Sequence, residues 1–373
     1  MVSVWEKPVH CLENSWSGRA LFMALQQKQS EKEALLESEN QAEMEDFFET
    51  TEEELDAFEE YTWNKGEGYK VPSFPILEQR LEGLESGLYL FAGESNSGKS
   101  AIMMNLLFDI ATHPENNLFG VYYSLDDSKY EILPRIIAMN ELIPIGVAGK
   151  PQRYQNRIDN AEENSATYQD WLDRRARGIQ RLKELKHKFK VVDGNTIKSA
   201  EQLHDHIKKV KIYLKAFDPD CNLIIAIDAL NDIRFATKNY KPGNELNSAI
   251  AKTVKEWSVE FDIPIFGSTH LRKLNQNRRP VLDDLKESSE YVYEASMVWL
   301  VYNDVSKNKQ AANIYYNAED VEEKMPILEL DWAKNKKSSF KGRTYQYFTP
   351  EMSKLTECQS DVMKRYDALI YES

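Results

Sequence analysis

Hydrophobic spacing changes twice along this chain. Over roughly the first 66 residues, Leu35, Leu36, Met44, Phe47 and Phe48 recur at near-helical intervals among acids, which predicts an acidic helical arm. Thr51-Glu52-Glu53-Glu54 has the form of a capping box, so a second short helix is expected to start there and run through Phe58. Trp63-Asn64-Lys65-Gly66-Glu67-Gly68 then breaks the pattern. From about residue 70 strands and helices alternate. The near-continuous apolar runs at 87–92, 119–125, 188–192, 222–228 and 263–269 read as strands of a parallel sheet covered on both faces. Residues 297–303, 311–316, 326–333 and 343–348 are closely spaced strands, which predicts an antiparallel extension of that sheet. Residues 145–190 are polar and helical. They gather Arg174, Arg175, Arg177, Arg181, Lys183, Lys186, Lys188 and Lys190 near their end, and a solvated basic helix is expected there ahead of a nucleic-acid contact.

At 373 residues, 42% of them apolar, the chain can hold one large α/β domain and an appendage, or two small domains. It has no apolar run of membrane-spanning length, and its start lacks a basic stretch followed by an apolar core, so a cytoplasmic protein is expected. Cys11, Cys221 and Cys358 form neither a disulfide framework nor a zinc spacing. The net charge of −14 changes meaning once it is located: residues 31–60 hold fourteen acids and one lysine, so the rest of the chain sums to about −1. That acidity excludes only a protein coated in positive charge.

Gly93-Glu94-Ser95-Asn96-Ser97-Gly98-Lys99-Ser100 fits the P-loop pattern G-x-x-x-x-G-K-[ST]. It follows the apolar run Leu88–Ala92 and precedes Ala101–Leu107, which contains no Gly or Pro. Strand, glycine-rich turn and helix start form a nest of backbone N–H groups for phosphate oxygens, which outweighs a bland glycine turn. Lys99 is expected to reach the β- and γ-phosphates of ATP, and Ser100 to ligate Mg²⁺. Hydrolysis also needs carboxylates and a group that senses the γ-phosphate. Leu223–Asp228 is an apolar strand ending in an acid, the Walker B form, which makes Asp228 the expected ligand of Mg²⁺-bound water. Val121–Asp127 ends in acids too, so Asp126 is expected to face the γ-phosphate; otherwise Asp126, Asp127 or Ser128 caps the next helix. Ile265–His270 is the third such strand, with His270 either a hydrogen-bond partner of the γ-phosphate or a polar strand end.

The order of these elements resembles the C-terminal ATPase domain of DnaB-family replicative helicases. Asp283-Asp284-Leu285-Lys286-Glu287-Ser288-Ser289 is similar to that family's D-L-R-E-S-G segment. It follows Arg278-Arg279-Pro280 and precedes Glu294–Val298, similar to the family's entry to a strand. Asp331–Lys336 resembles the late strand that carries a lysine and an arginine into the next subunit's site. The resemblance covers about residues 68–356.

It implies a RecA-like P-loop fold: a mostly parallel sheet flanked by helices, with a C-terminal antiparallel extension and the acidic helical arm ahead of it. The expected segments are 1–66 as arm, 67–356 as ATPase domain and 357–373 as tail. It also implies a homo-hexameric ring of phage or bacterial type, hydrolysing ATP between subunits around single-stranded DNA. Asp126 takes the family's catalytic glutamate position, and His270 the position of its Gln or His. Lys286, Glu287 and Ser289 fall on the DNA-gripping loop, and Lys334 and Lys336 on the trans-acting pair. Three residues depart from the pattern: Asp126 is a methylene shorter than Glu, Lys336 replaces an arginine, and Ser289 replaces a glycine. Residues 1–66 do not resemble the family's primase-docking domain. A DNA translocase or helicase is therefore the first expectation. The alternatives are a non-helicase RecA-like ATPase that binds a protein partner through its acidic arm, and a nucleotide-binding scaffold with negligible turnover.

Overall fold

The computed structural model describes residues 16–64, 68–160, 162–197, 199–272, 274, 278–318 and 322–371, without the side chains of 16–22, 46, 48–51, 64 and 286–289. The chain divides into two units, Met1–Gly66 and Glu67–Ser373. In the first, α1 (Trp16–Asn64) is one unbroken helix. The expected break at Thr51 does not occur: no Gly or Pro lies between Gly18 and Gly66, so nothing forces the chain out of the helical ladder. Gln27 donates to Glu31 at 3.0 Å and Gln41 to Glu45 at 3.3 Å, i,i+4 pairs worth about 0.2–0.5 kcal/mol each.

The second unit is built on one sheet. Its first strands are β1 (Gly87–Gly93), β2 (Leu118–Ser124), β3 (Phe189–Asp193), β4 (Asn222–Asp228) and β5 (Pro264–His270). They are followed by β6 (Met297–Asn303), β7 (Tyr315–Asn317), β8 (Lys324–Asn335), β9 (Arg343–Thr349) and β10 (Lys354–Glu357). The spatial order is β10-β9-β8-β6-β1-β5-β4-β2-β3, with β7 on β8. The helices are α2 (Pro75–Leu81), α3 (Lys99–Thr112), α4 (Lys129–Glu141), α5 (Ile145–Gly149), α6 (Pro151–Asp159), α7 (Ser165–Glu184) and α8 (Ala200–Phe217). They continue as α9 (Asn244–Glu260), α10 (Ser289–Glu294), α11 (Asp304–Asn308) and α12 (Ser360–Tyr371).

Alternation along β1 shows why the sheet is buried on both sides. Tyr89 and Phe91 join Trp299 and Phe266 in the core under α3, while Leu88, Leu90 and Ala92 face Ile250 and Val254 of α9. Phe91 lies 4.8 Å from Trp299 and 5.6 Å from Phe266, ring centre to ring centre.

Three sequence expectations need correction here. β6 runs parallel to β1, so the antiparallel extension starts one strand later, at β8. Most of 311–316 is loop, because the buried Asp304 carboxylate accepts the Asn313 and Ile314 N–H groups at 2.7 and 2.9 Å and holds the chain off the sheet. Nor is the basic helix simply solvated. Trp171, Leu172, Ile179 and Leu182 of α7 pack on Ile137 and Val147, and a Cβ at Gly178 would come within 2.8 Å of Glu141 Cγ. Lys188 and Lys190 lie beyond α7, Lys190 on β3.

Glu329 of β8 is 1% exposed, and Arg279 meets it with two parallel hydrogen bonds, Nε–Oε2 at 2.7 Å and Nη2–Oε1 at 2.8 Å. Burial raises the Glu329 pKa and the guanidinium offsets it. Arg279→Ala is expected to cost about 3–5 kcal/mol in urea unfolding, because a carboxylate is left buried and unpaired. Adding Glu329→Gln should recover part of that loss.

Candidate nucleotide site

β1 ends at Gly93, level with His270 of β5, and the chain then turns tightly into α3. Gly93 has no room for a side chain: a Cβ would lie 2.5 Å from Ser97 Oγ and 2.8 Å from the Val301 carbonyl oxygen. Gly98 has φ +104°, and its Cβ would meet Leu328 Cδ1 at 2.5 Å. The first turn of α3 presents its unpaired N–H groups, a ready anion site. Lys99 is 6% exposed and donates to the Gly93 and Glu94 carbonyls at 2.9 and 2.8 Å. Burial pulls its pKa down to about 8; Asp228 opposes that shift and Lys307 adds to it. Ser97 Oγ is buried with no partner among the described residues. A pocket with a desolvated ammonium, a helix start and an orphaned hydroxyl fits a polyphosphate.

Asp228 ends β4 between two hydroxyl donors. Tyr122 of β2 donates to Oδ2 at 2.6 Å, and Ser268 of β5 donates to Oδ1. Asp126 follows β2 and is exposed. It does not cap α4: Ser128 does, in a capping box with Glu131, whose Oε2 accepts the Ser128 N–H at 2.9 Å. Asp127 pairs with Arg135 at 3.2 Å. Asp126 is thus left facing the site, where its charge bears on Asp232 and His270. The His270 N–H and the Thr269 hydroxyl both donate to Asn231 Oδ1, at 3.1 and 2.9 Å. Burial and then Lys99 depress the His270 pKa, so its imidazole is neutral at pH 7.

The structure therefore gathers Gly93 to Ser100, Asp126, Asp228 and His270 at one sheet edge. Tyr122, Ser268, Asn231, Asp232 and Lys307 also belong there, and the sequence reading missed them. Asn231 and Asp232 follow the Asp228 strand within four residues, which is a legible signal. Tyr122, Ser268 and Lys307 reach the site through strand pairing and carry none.

Lys286 and Glu287 lie in the 3₁₀ segment Leu282–Ser288, and Ser289 starts α10. Their side chains fall outside the described residues. The segment is anchored by the buried Asp284 carboxylate. It accepts two hydrogen bonds of 2.7 Å from Arg278, one of 3.2 Å from Arg272 and one of 2.9 Å from the Val281 N–H. The Arg278 bonds hold its pKa down to about 2.

Lys334 and Lys336 lie elsewhere. Lys334 pairs with Val298, which is level with Leu90 in mid-β1. The Lys336 N–H reaches the Ser296 carbonyl, and the Ser296 N–H reaches that of Leu88. The phosphate loop is roughly 16 Å further along β1, at about 3.3 Å per residue. Lys334 Nζ donates to the Val292 carbonyl and, at 3.0 Å, to that of Tyr293; Lys336 Nζ reaches Tyr293 at 3.3 Å. Burial, then the Lys336 charge, bring the Lys334 pKa down to about 8. Neither lysine is brought to the loop of its own chain.

The family model for the DnaB-like helicase C terminal domain matches residues 71–357. A probable replicative DNA helicase of Trieres chinensis is 26% identical over 268 residues, covering 70% of this chain and 52% of that protein. Replicative DNA helicase DnaB of Mycoplasma pneumoniae is 23% identical over 256 residues, covering 65% and 49%. The chain spans about half the length of these curated relatives. Among solved structures, one of an ATPase domain superposes with a TM-score of 0.65 at 21% identity, over 83% of this chain and 98% of that one. A DnaB-like replicative helicase studied with primase gives 0.63 at 21% identity, over 83% and 66%. These two share the fold.

Lys99 must be charged to hold phosphate, and bound phosphate favours its charged form. With its pKa at about 8, affinity for a nucleoside triphosphate is expected to hold below that pH. It should then fall up to about tenfold per unit as pH rises through it. Titrations between about pH 7 and pH 9 should show the slope in the parent chain and lose it in Lys99→Ala.

Proposed function

The chain belongs to the DnaB-like helicase C-terminal domain family, and from that membership we propose that it is an ATP-hydrolysing motor working as a hexameric ring on single-stranded DNA. The observation that carries this reading is the separation of the two half-sites. The phosphate loop, Asp126, Asp228 and His270 sit at one edge of the sheet, and Lys334 and Lys336 lie roughly 10 and 16 Å back along it. A ring sets the lysine edge of one subunit against the phosphate edge of the next, so each site is completed by its neighbour. The family match covers most of the second unit and favours the motor over an accessory ATPase or a scaffold.

In this reading Lys99 binds the β- and γ-phosphates. Asp126, free of capping duty, orients water and takes its proton, and the neutral His270 hydrogen-bonds the γ-phosphate. Ser100 and Asp228 would hold Mg²⁺. Among the described residues no group of three or more His, Cys, Asp or Glu is placed to hold a metal ion by itself. When bound, Mg²⁺ neutralises charge on the transferring phosphoryl group. Lys286, Glu287 and Ser289 lie on the DNA-gripping loop that Asp284 anchors, with Lys286 its cation for a backbone phosphate. The acidic arm docks a protein partner; primase is the partner named for one solved relative. A cytoplasmic location follows from the same reading. Among the described residues no helix is long and apolar enough to cross a membrane.

Asp126→Asn is expected to keep nucleotide binding and lose most turnover in a phosphate-release assay. Because Ser128 already caps α4, a loss of folding stability instead would remove Asp126 from the chemistry.

Assembly is tested by mixing. Specific activity should rise with protein concentration until rings form. Lys336→Ala should bind ATP without turnover, and mixing it with Asp126→Asn subunits should restore part of the activity at interfaces where both halves are intact. A rate independent of concentration, with no rescue on mixing, would mean the site is complete within one chain.

A further inference from the structure

Glu94 is an unexpected side chain for a phosphate cradle. It holds the first variable position of the loop, where a carboxylate repels the ligand that the backbone is shaped to receive. That charge is matched from an unanticipated direction. Glu94 Oε2 pairs with Lys307 Nζ at 2.6 Å, and Oε1 accepts the Leu274 N–H at 3.3 Å. Lys307 comes from α11, at the phosphate-side end of β6, the neighbour of β1 on the side away from β5.

The helix is fixed in place. Asn303 caps it by accepting the Ser306 N–H at 3.1 Å, and the buried Asp304 ties it to Asn313 and Ile314. Both charged groups are mostly enclosed, with 22% of the Lys307 side chain and 19% of Glu94 exposed. An ammonium has three donors, and Glu94 is the one acceptor found for Lys307 among the described residues. Lys307 is also near enough to Lys99 to disfavour its charge. Two ammonium groups thus meet at Glu94, Lys99 on its carbonyl and Lys307 on its carboxylate.

We propose that Lys307 is a second phosphate-binding residue of the nucleotide site, tethered beside the loop by Glu94 and using its free donors on the β- and γ-phosphates of the bound nucleotide. The proposal rests on the nucleotide reading of the Lys99 loop. It gives the carboxylate a purpose, since without Glu94 a lysine on a short helix would be free to swing into solvent. It also places a cation in the site of the same chain, where the neighbouring subunit offers Lys336 in place of an arginine fork.

The test is equilibrium binding of a fluorescent, non-hydrolysable ATP analogue with Mg²⁺ to the full chain and its variants. Lys307→Ala should weaken binding about tenfold or more, as expected for a lost charge-assisted hydrogen bond. Lys307→Arg should retain most of it. Glu94→Gln should bind more tightly than the parent, since its amide oxygen still accepts from Lys307 and tethers it while the loop loses a repelling charge.

The double variant, Glu94→Gln with Lys307→Ala, decides. It should bind clearly more weakly than the parent chain. If the pair only clasps the loop, both single changes weaken binding alike and the double is no worse. If the lysine only neutralises Glu94, the double binds like the parent; either result overturns the proposal. Unfolding curves exclude simple misfolding of each variant. Lys99→Ala in the same assay tests the underlying reading separately: parent-like binding there would remove the nucleotide from this loop altogether.

Discussion

A parallel strand can be joined to its neighbour only by a crossover that returns the chain to its starting edge. β1, β2, β3, β4, β5 and β6 all obey that constraint, so their C-terminal ends share one edge of the sheet. Residues as distant in sequence as Gly93, Asp126, Asp228, His270 and Lys307 meet there for that reason alone. The reversal at β8 has the opposite consequence. Running antiparallel to β6, β8 carries its last residues back toward the starting edge, and Lys334 and Lys336 go with it. The separation of the phosphate loop from the two lysines is therefore a property of strand direction, fixed before any side chain is considered.

Local chemistry made much of this legible from the sequence. The glycines at 93 and 98, the lysine at 99 and the acid closing 222–228 each answer a requirement met within a few residues. The structure shows the steric side of it in the contacts a Cβ would make at Gly93 and Gly98. Three acidic or hydroxyl residues after β2 were equivalent as caps by letter, and only geometry assigns the role to Ser128 and frees Asp126. What stayed illegible depends on register. Tyr122 and Ser268 are ordinary strand residues until pairing sets them on either side of Asp228. The direction of β6 is hidden for the same reason, because an apolar run of seven residues reads alike in parallel and antiparallel sheets. In the arm, a capping-box spelling without a helix breaker was not enough to end a helix.

Burial lowers the pKa of two lysines, Lys99 at one edge of the sheet and Lys334 at the other, each to about 8. Each satisfies itself with main-chain carbonyls, Lys99 on Gly93 and Glu94, Lys334 on Val292 and Tyr293. Such carbonyls solvate an ammonium without neutralising it. The ammonium groups therefore keep their positive charge below that pKa.

The carbonyls that hold Lys334 close α10, a helix of six residues that begins at Ser289, where the 3₁₀ segment of the proposed DNA-contacting loop ends. The loop and the lysine pair therefore occupy the two ends of one short element. Tyr291 in its middle is fully buried, so the helix cannot tilt freely against α9 and β6. A displacement of that helix would carry the Val292 and Tyr293 carbonyls with it. An arginine at 336 would carry more donors, but its rigid fork would need a planar acceptor pair to rest on. Lys334, on the Val292 and Tyr293 carbonyls, and Lys336, on that of Tyr293, share one acceptor on this helix. The positions of both ammonium groups are thus set by the last turn of α10 as well as by β8.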